Sequence, residues 1–216
     1  MTIPHKAGGT RSERKHEAIL DAAAALFLQH GYLGTSMDEV ASRAAVSKQT
    51  VYAQFTSKDA LFEAMVRRLT RAAGDKVQVG LGSPPDGMSL AAHLIGYAAR
   101  QLEVVRTPAL MQLRRLIIAE ATRFPDLGRA LYENGPGRAI AGLADVFAEW
   151  SAKGLLETPD PLAAASFFNW LIMGEPVNRA MMLGDEAVPD GAALERHAGE
   201  AVRIFMAAFA PAPSPD

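Results

Sequence analysis

The sequence of 216 residues contains no cysteine. This absence excludes disulfides, thiolate catalysis, and zinc or iron–sulfur sites that are built on cysteine. Five histidines are present, but they are scattered without the spacing of metal ligands: His5, His16, His30, His93 and His197. The sequence also lacks a GxSxG elbow, an HExxH pair, a Walker phosphate loop and a dinucleotide-binding fingerprint. We therefore expect neither an enzyme, nor a bound cofactor, nor a metal site.

Long hydrophobic runs are missing as well. The longest apolar run in the C-terminal half, residues 161–174, is shorter than the roughly 20 residues that a membrane-spanning helix needs. The first residues, MTIPHKAGGTRSERK, contain no apolar signal core. The sequence thus predicts a cytoplasmic protein with no membrane partner.

Alternating strand patterns are absent too, and windows rich in alanine and leucine dominate instead. Hydrophobic residues make up 49% of the chain and charged residues 21%, which is enough apolar material for a packed core. We therefore predict an all-α fold. The first helix is expected from about Arg11 to His30, where Gly31 can end it. Its buried stripe is predicted to contain Ile19, Leu20, Ala23, Leu26 and Phe27.

Three further helix starts follow closely. Ser36 with Glu39 has the spacing of a capping box and predicts a short second helix. Ser47 can cap a third helix that ends near Gln54, and Ser57 a fourth that runs from Lys58 to about Val79. Only Ala45 and Val46 separate the second helix from the third. Two short helices joined by a tight turn and supported by longer helices are typical of a helix-turn-helix.

The stretch AVSKQTVYAQF, residues 45–55, has the division of faces that a recognition helix requires. Val51 and Phe55 lie four residues apart on one face and can fix the helix to a core. The polar side chains then face outwards, towards the major groove. Their expected partners are guanine for Lys48, adenine for Gln49 or Gln54, a base edge for the hydroxyl or methyl group of Thr50, and a phosphate for Tyr52.

Flanking side chains extend this polar surface. Thr35, Ser36 and Lys58 can donate to phosphates, the last two beside helix N-termini. An alternative is that Ser36, Ser47 and Ser57 only cap helices, and that Tyr52 is a half-buried packing residue. Capping alone does not decide between these interpretations, because a serine can cap a helix in either case.

Charge is distributed unevenly. Residues 1–71 carry ten basic and seven acidic side chains, a balance of +3, whereas the rest of the chain has a balance of −5. Four of the basic residues lie near the start, in a lead-in that contains glycine: Lys6, Arg11, Arg14 and Lys15. This segment is either a solvated tail or an arm that contacts phosphates.

Residues 31–66, GYLGTSMDEVASRAAVSKQTVYAQFTSKDALFEAMV, resemble the DNA-binding domain of the TetR family of transcriptional regulators. The resemblance extends over about residues 11–72, with the helix-turn-helix motif at 36–55, and departs from the family only where Ala45 replaces a frequent glycine. It implies double-stranded operator DNA as partner. The DNA-contacting positions that it implies are Thr35, Ser36, Lys48, Gln49, Thr50, Tyr52, Ala53 and Lys58.

The loop GLGSPPDG, residues 80–87, is the expected boundary of this domain. Proline and glycine positions divide the chain beyond it into about five further helices in a larger domain, residues 80–210, with flexible tails at 1–10 and 211–216. Residues 113–147 resemble the regulatory domain of the AefR-like branch of the family. This resemblance implies a domain that binds a small-molecule effector and forms a homodimer. The helix from Lys58 is then expected to be the only covalent link between the domains.

An effector pocket in this domain should combine apolar walls with a few polar groups. The candidates on that basis are His93, Tyr97, Met111, Arg114, Ile118, Phe147, Phe167 and Trp170. For each residue taken singly, the stronger interpretation is ordinary core packing or, for His93 and Arg114, an exposed position. We expect an apolar ligand, of which Arg114 could receive one carboxylate.

The helix that begins at Pro161 is apolar on most of its sides, which requires either a central core position or a partner. The family resemblance favours a four-helix interface formed by the last two helices of each subunit. The residues predicted to form it are Phe168, Leu171, Ile172, Val202, Phe205 and Phe209. Pro176 should kink or break the first of these helices near Ile172, because proline removes a backbone donor.

The sequence therefore predicts a TetR-type repressor that acts as a homodimer on an inverted-repeat operator and is released by a small apolar ligand. One alternative is a DNA-binding regulator that needs no ligand or that activates transcription. A second is a helical binding protein whose DNA-binding surface is vestigial, which the intact polar face of residues 47–54 disfavours.

Overall fold

The computed structural model describes residues 10–187 and 189–211. In this part of the chain all regular structure is helical: ten α-helices, one 3₁₀ turn at Asp185–Ala187 and no strand. The helices are α1 Arg11–His30, α2 Met37–Arg43, α3 Lys48–Gln54, α4 Lys58–Gln78, α5 Leu90–Val105, α6 Pro108–Glu120, α7 Pro125–Asn134, α8 Pro136–Ala152, α9 Pro161–Leu183 and α10 Gly191–Phe209. The predicted all-α fold is confirmed, with six helices rather than about five after the loop at residues 80–87. None of the described helices is long and apolar enough to cross a membrane.

The first four helices start and end where local sequence signals predict. The hydroxyl of Thr10 accepts from the backbone N–H of Glu13, whose side chain accepts from the Thr10 N–H, so that a capping box begins α1. Gly31, at φ 74°, ends the helix in a conformation that favours glycine. Arg11, Arg14 and Lys15 therefore belong to α1 and not to a flexible lead-in, whereas Lys6 and both predicted tails, apart from Thr10 and Pro211, lie outside the described residues.

By its packing the chain forms two compact units. The first contains the residues up to Arg68 together with Leu116–Ala130, and the second contains Leu69–Arg115 and the residues from Leu131 onwards. The expectation that α4 is the only covalent link is wrong, because the chain also passes between the units within α6 and at the Ala130–Leu131 bond. A boundary at the loop of residues 80–87 stays a prediction.

The core of the first unit lies where α1, α2, α3 and the start of α4 meet. Ile19, Phe27, Val40, Val51 and Phe62 are fully buried there. The expected stripe of α1 is confirmed, because Ile19, Leu20, Ala23, Leu26 and Phe27 are all buried. This burial fixes the orientation of the two short helices, which on their own would be too short to be stable.

The second unit has an aromatic core. The ring of Phe205 on α10 lies 5.1 Å from that of Phe147 on α8 and 4.7 Å from that of Phe168 on α9. Tyr97 and Trp150 are fully buried in the same cluster. One face of helix α9 thus packs into the centre of this core.

Helix α9 runs without a break through Pro176, so of the predicted kink or break near Ile172 the break is wrong and the kink stays a prediction. Pro176 has no N–H to donate to the carbonyl oxygen of Ile172, the acceptor four residues earlier. Instead, Nε2 of His197 on α10 lies 2.9 Å from that oxygen, and since a carbonyl only accepts, this nitrogen carries the hydrogen. A side chain from the neighbouring helix thus replaces the missing backbone donor.

We expect His197→Ala to lower the free energy of unfolding by about 1–3 kcal/mol, because it leaves a buried carbonyl unpaired. Pro176→Ala restores a backbone donor at the same oxygen and should recover part of that loss in the His197→Ala background. Urea unfolding of both single variants and the double variant measures the coupling. Strictly additive effects would mean that His197 does not compensate for Pro176.

Candidate functional site

The helix-turn-helix is held together by capping at both of its helices. Ser36 caps α2, its hydroxyl accepting from the N–H of Glu39 at 3.2 Å while the Glu39 carboxylate accepts the Ser36 N–H at 2.8 Å. The Ser36 hydroxyl and the Ser36 N–H both donate to this carboxylate, and these two hydrogen bonds lower the pKa of Glu39. Ser47 caps α3 by accepting from the N–H of Thr50 at 3.1 Å. The sequence signals for both helix starts are confirmed.

The turn between the two helices contains the one left-handed residue other than glycine among the described residues, Ala45 at φ 53°. An alanine there costs about 1–2 kcal/mol in backbone strain. This is the position at which the TetR resemblance leads one to expect glycine. The packing of α2 and α3 on either side therefore imposes this turn, because alanine itself does not favour the left-handed conformation.

Ala45→Gly should raise the free energy of unfolding by about 0.5–1 kcal/mol, because the relief of strain exceeds the entropy that glycine adds to the unfolded chain. The neighbouring Ala44 lies in the right-handed region at φ −76°, so Ala44→Gly should have the opposite sign. Thermal or urea unfolding of the two variants checks both signs. Destabilisation by both would contradict the proposed strain at Ala45.

Helix α3 presents a polar face to solvent. Val51 is fully buried and Phe55 nearly so, while Lys48, Gln49, Tyr52 and Ala53 are exposed. Tyr52 has about half of its surface in solvent, so it is half-buried while the exposed half remains accessible to a partner. The predicted division between two apolar anchors and an outward polar edge is therefore present in the structure.

Several hydroxyl and charged groups of this face already have partners within the protein. The hydroxyl of Ser36 lies 2.8 Å from a carboxylate oxygen of Glu39, and that of Thr50 lies 2.8 Å from the hydroxyl of Ser47. The ammonium of Lys48 forms an exposed ion pair with Asp38 of α2. Contacts made with a nucleic acid would compete with these weak surface interactions.

Thr35 is the member of the predicted contact set whose side chain is buried. Its hydroxyl donates to the carbonyl of Gly31 at 3.0 Å, which holds the α1–α2 connection. The expectation that this hydroxyl donates to a phosphate needs correction, because it is already used and lies away from solvent. A buried threonine and an exposed one look the same in a sequence motif.

Lys58 lies in a small cationic cluster that sequence reasoning missed. Its ammonium is 4.4 Å from the centre of the Tyr32 ring, and the guanidinium of Arg123 lies 5.4 Å from the same ring. Burial, and then the charge of Arg123, lower the pKa of Lys58. The Phe124 ring packs 4.6 Å from that of Tyr32. No sequence signal indicates this packing, since Tyr32 and Arg123 are about 90 residues apart.

The Tyr32 hydroxyl completes this cluster by donating to the carboxylate of Asp59. Burial and this hydrogen bond raise the pKa of Tyr32 to about 12, so the phenol stays neutral at physiological pH. The end of α6 and the start of α7 are thereby packed onto the unit that contains the helix-turn-helix.

The predicted pocket set is not brought together. His93, Tyr97 and Phe147 are core residues of the second unit, and Met111 is buried on α6. The other apolar candidates are largely exposed, with 63% of the Ile118 side chain, 61% of Phe167 and 49% of Trp170 in solvent. Their assignment to an enclosed pocket needs correction. Of the candidates, only Arg114 lines the enclosed cavity described next.

This cavity lies within the second unit and has a volume of about 50 Å³. Its walls come from α4, α5, α6, α8, α9 and the end of α7. Val77, Val105, Leu110 and Met173 supply apolar surface, and Arg114 is one of its few polar groups. Such a mixture of apolar walls and few polar groups is typical of small-molecule sites.

An apolar face remains open on α9 and α10. It is lined by Phe167, Trp170, Leu171, Ile204, Phe205, Ala208 and Phe209. Of the predicted interface residues, Phe168, Ile172, Val202 and Phe205 are instead core residues with at most 1% of their surface exposed, and only Phe205 touches this face. Leu171 and Phe209 do lie on it. Phe167 and Trp170, which the sequence suggested for the pocket, are its most prominent side chains.

Among residues 10–187 and 189–211 no three histidine or acidic side chains come together as a metal site. The features with a possible function are therefore the polar face of α3, the cavity of the second unit, and the open apolar face of α9 and α10.

Comparison with known proteins gives the family. Residues 19–65 match the DNA-binding domain model of bacterial regulatory proteins of the tetR family, and residues 92–211 match the C-terminal domain of AefR-like transcriptional repressors. A TetR-family transcriptional regulator from Mesorhizobium loti is 38% identical, with a TM-score of 0.84 over 94% of this chain and 100% of that one. The flavonoid-responsive regulator FrrA is 33% identical, with a TM-score of 0.76 over 93% of this chain and 100% of that one.

A further relative, compared by sequence, is also a transcriptional regulator. The HTH-type transcriptional regulator YvkB of Bacillus subtilis is 25% identical over 80% of this chain and 86% of its own length. The matched family is one of transcriptional regulators and not of enzymes, as the sequence predicted. The chain belongs to the TetR family of helix-turn-helix DNA-binding transcriptional regulators and carries an AefR-like C-terminal domain.

Proposed function

We propose that this regulator is a repressor that binds an inverted-repeat operator as a homodimer and is released from it by a small molecule. The observation that carries the DNA-binding part is the face of α3: Val51 and Phe55 are buried, while Lys48, Gln49 and Tyr52 point to solvent. Side chains of these types read base edges and contact phosphates. Because DNA is the proposed partner, the cytoplasmic location expected from the sequence belongs to the proposal.

The second part of the proposal is the homodimer. Phe167 and Trp170 leave a contiguous apolar surface in solvent together with Leu171, Ile204 and Phe209. An exposed patch of this kind on a single chain marks an interaction surface. A second copy of the chain can cover it through a twofold axis, since the same patch then meets itself. Two α3 helices would in this way reach two half-sites of one operator.

The third part concerns the effector. A ligand lowers operator affinity only if it binds the state that does not fit the operator more tightly. The cavity of about 50 Å³ holds a few waters and no drug-sized ligand, so its walls must move apart for binding. Helix α4 contributes Gly74 and Val77 to those walls, and Leu61 and Phe62 to the core that supports α3. A displacement of α4 by the ligand would therefore be felt in the DNA-binding unit.

The AefR-like domain, which is described as that of repressors, supports repression as the sign of regulation. The similarity to FrrA, a flavonoid-responsive protein, supports an effector with an aromatic, largely apolar body. A regulator that needs no ligand or that activates is the alternative. The exposed polar face of α3 disfavours a protein with a vestigial DNA-binding surface.

Selection of DNA duplexes from a random library by the purified full-length chain tests the proposal. We expect enrichment of an inverted repeat whose half-sites are about one helical turn apart. Val51→Asp, which should detach α3 from its core, is the control and should enrich nothing. Failure of the wild-type chain to enrich any sequence would refute the DNA-binding part, and enrichment of single half-sites would refute the symmetric dimer.

A further inference from the structure

Three neighbouring arginines of the second unit differ in how their charge is compensated. Arg138 forms an ion pair with Asp75 at 2.7 Å, and Arg115 donates to the carbonyl of Ala180 at 2.7 Å. Arg114, which lies beside Arg115 on α6 and lines the cavity, has neither a hydrogen bond nor an ion pair with any residue that the structure describes. Burial lowers its pKa, and no acidic side chain of the described residues opposes this effect.

An uncompensated guanidinium in a partly buried site is costly, because the charge has lost water without gaining a partner. Guanidinium groups do not lose their proton in proteins, so the charge stays. An anion bound from outside can supply the missing partner. The site therefore lacks an anionic group, and a planar carboxylate matches a guanidinium through two parallel hydrogen bonds.

A second polar group on the cavity wall has one atom without a hydrogen bond. Gln101 of α5, with 2% of its surface exposed, donates through Nε2 to Oδ1 of Asn169 on α9 at 2.8 Å. The remaining oxygen of Gln101 and the remaining nitrogen of Asn169 are buried without hydrogen bonds. Such atoms in native proteins call for a partner. A hydroxyl group can satisfy either end of the amide pair, since it both donates and accepts.

We propose that the effector is a hydroxylated organic acid, whose carboxylate binds Arg114, whose hydroxyl binds Gln101, and whose apolar body lies between them against Val77, Val105 and Met173. This proposal rests on the proposed function, because it names the ligand class of the same cavity. The sequence already suggests an apolar ligand with one carboxylate at Arg114, and the structure adds the hydroxyl group at Gln101. The proposed class differs from a neutral polyphenol, which offers hydroxyl groups but does not neutralise Arg114.

The probes are hydroxylated aromatic acids of increasing length, namely 4-hydroxybenzoate, 4-hydroxyphenylacetate, 3-(4-hydroxyphenyl)propanoate and 4-hydroxycinnamate. Each is paired with its methyl ester and with the analogue that lacks the hydroxyl, and naringenin serves as the neutral flavonoid. Thermal unfolding of the full-length dimer measures binding, and fluorescence anisotropy on the selected operator measures release. We expect at least one acid to raise the unfolding temperature and release DNA, with its ester bound at least about tenfold more weakly.

The variants are Arg114→Met, Arg114→Lys and the matched control Arg115→Met. We expect Arg114→Met to raise the unfolding temperature of the ligand-free protein by about 2–4 °C, since it removes an uncompensated charge. It should bind the acid about 10- to 100-fold more weakly, whereas Arg114→Lys should retain part of the affinity. Arg115→Met should lower the unfolding temperature, because it removes a hydrogen bond, and leave the acid response in place.

The outcomes separate this inference from the proposed function. An ester as effective as its acid, an unchanged response in Arg114→Met, or a lower unfolding temperature of ligand-free Arg114→Met would each overturn the acid site. Operator release by naringenin alone, or by none of the probes, would overturn it as well while the DNA-binding regulator stands. Absence of operator binding by the ligand-free wild type would instead overturn the proposed function.

Discussion

Replacing Phe167 and Trp170 together by glutamate is expected to convert the protein into folded monomers that no longer hold an operator. Both side chains are about half exposed or more in the single chain, so their loss costs the subunit fold little. In a twofold dimer each substitution occurs twice, which brings four carboxylates into one apolar contact. Since burial of an unpaired charge costs several kcal/mol, we expect the dissociation constant of the dimer to rise more than about 1,000-fold.

Light scattering at micromolar concentration, together with circular dichroism, measures both parts of this prediction. Tyr132→Glu on α7 is the matched control, because it places the same charge on an exposed aromatic residue outside the face. Retention of a dimer by the Phe167→Glu/Trp170→Glu variant would locate the interface elsewhere. A monomeric wild type would refute the homodimer altogether.

Substitution of the interface residues predicted from the sequence should give a contrasting result. Phe168 and Phe205 are buried in the aromatic core with rings 4.7 Å apart. Phe168→Glu together with Phe205→Glu should therefore unfold the second unit at any protein concentration, rather than separate two folded subunits. A loss of helical signal that does not depend on concentration distinguishes this outcome from dissociation.

Substitutions on the outward face of α3 are expected to have the second largest effects, and they should fall into two classes. Gln49→Ala and Thr50→Ala should each lower the binding free energy by about 1–3 kcal/mol per half-site. Each should also relax the preference for one base at one position of the operator. Tyr52→Ala and Lys58→Ala should weaken binding to all DNA sequences alike and lower the salt dependence of binding, because they remove phosphate contacts. A twofold dimer doubles each effect.

Binding isotherms on the selected operator and on single-base variants of it, at several salt concentrations, separate the two classes. Thr35→Val is the control, because it removes a hydroxyl that donates to Gly31 within the protein. It should lower the free energy of unfolding by about 1 kcal/mol and leave base preference unchanged. Unchanged affinity and salt dependence in the four α3 and α4 variants would contradict the assignment of the recognition helix.

Local structure in the first unit could be predicted from the sequence because its signals act over short distances. A capping serine and a glutamate three residues later fix the start of α2, and Ser47 fixes that of α3. The spacing of Val51 and Phe55 fixes which face of α3 is buried. The family also follows from this stretch, since its residue pattern extends without gaps over the whole helix-turn-helix.

Contacts between distant residues could not be predicted in this way. Tyr32 packs on Phe124 and Arg123, and these contacts join the end of α6 to the helix-turn-helix unit. His197 supplies the hydrogen bond that Pro176 cannot make. Each contact joins residues 20 or more positions apart, and no periodicity or motif connects the two members.

The sequence by itself thus determined the helices of the first unit, the helix-turn-helix and the family, because capping and apolar spacing are properties of a few neighbouring residues. Only the tertiary structure decided which face of α9 enters the core. Phe167 and Phe168 are adjacent and chemically identical, yet one is 61% exposed and the other fully buried. On a helix that is apolar on most sides the sequence pattern has no preferred direction. The neighbouring helices α8 and α10 determine which face is buried, because both pack against α9.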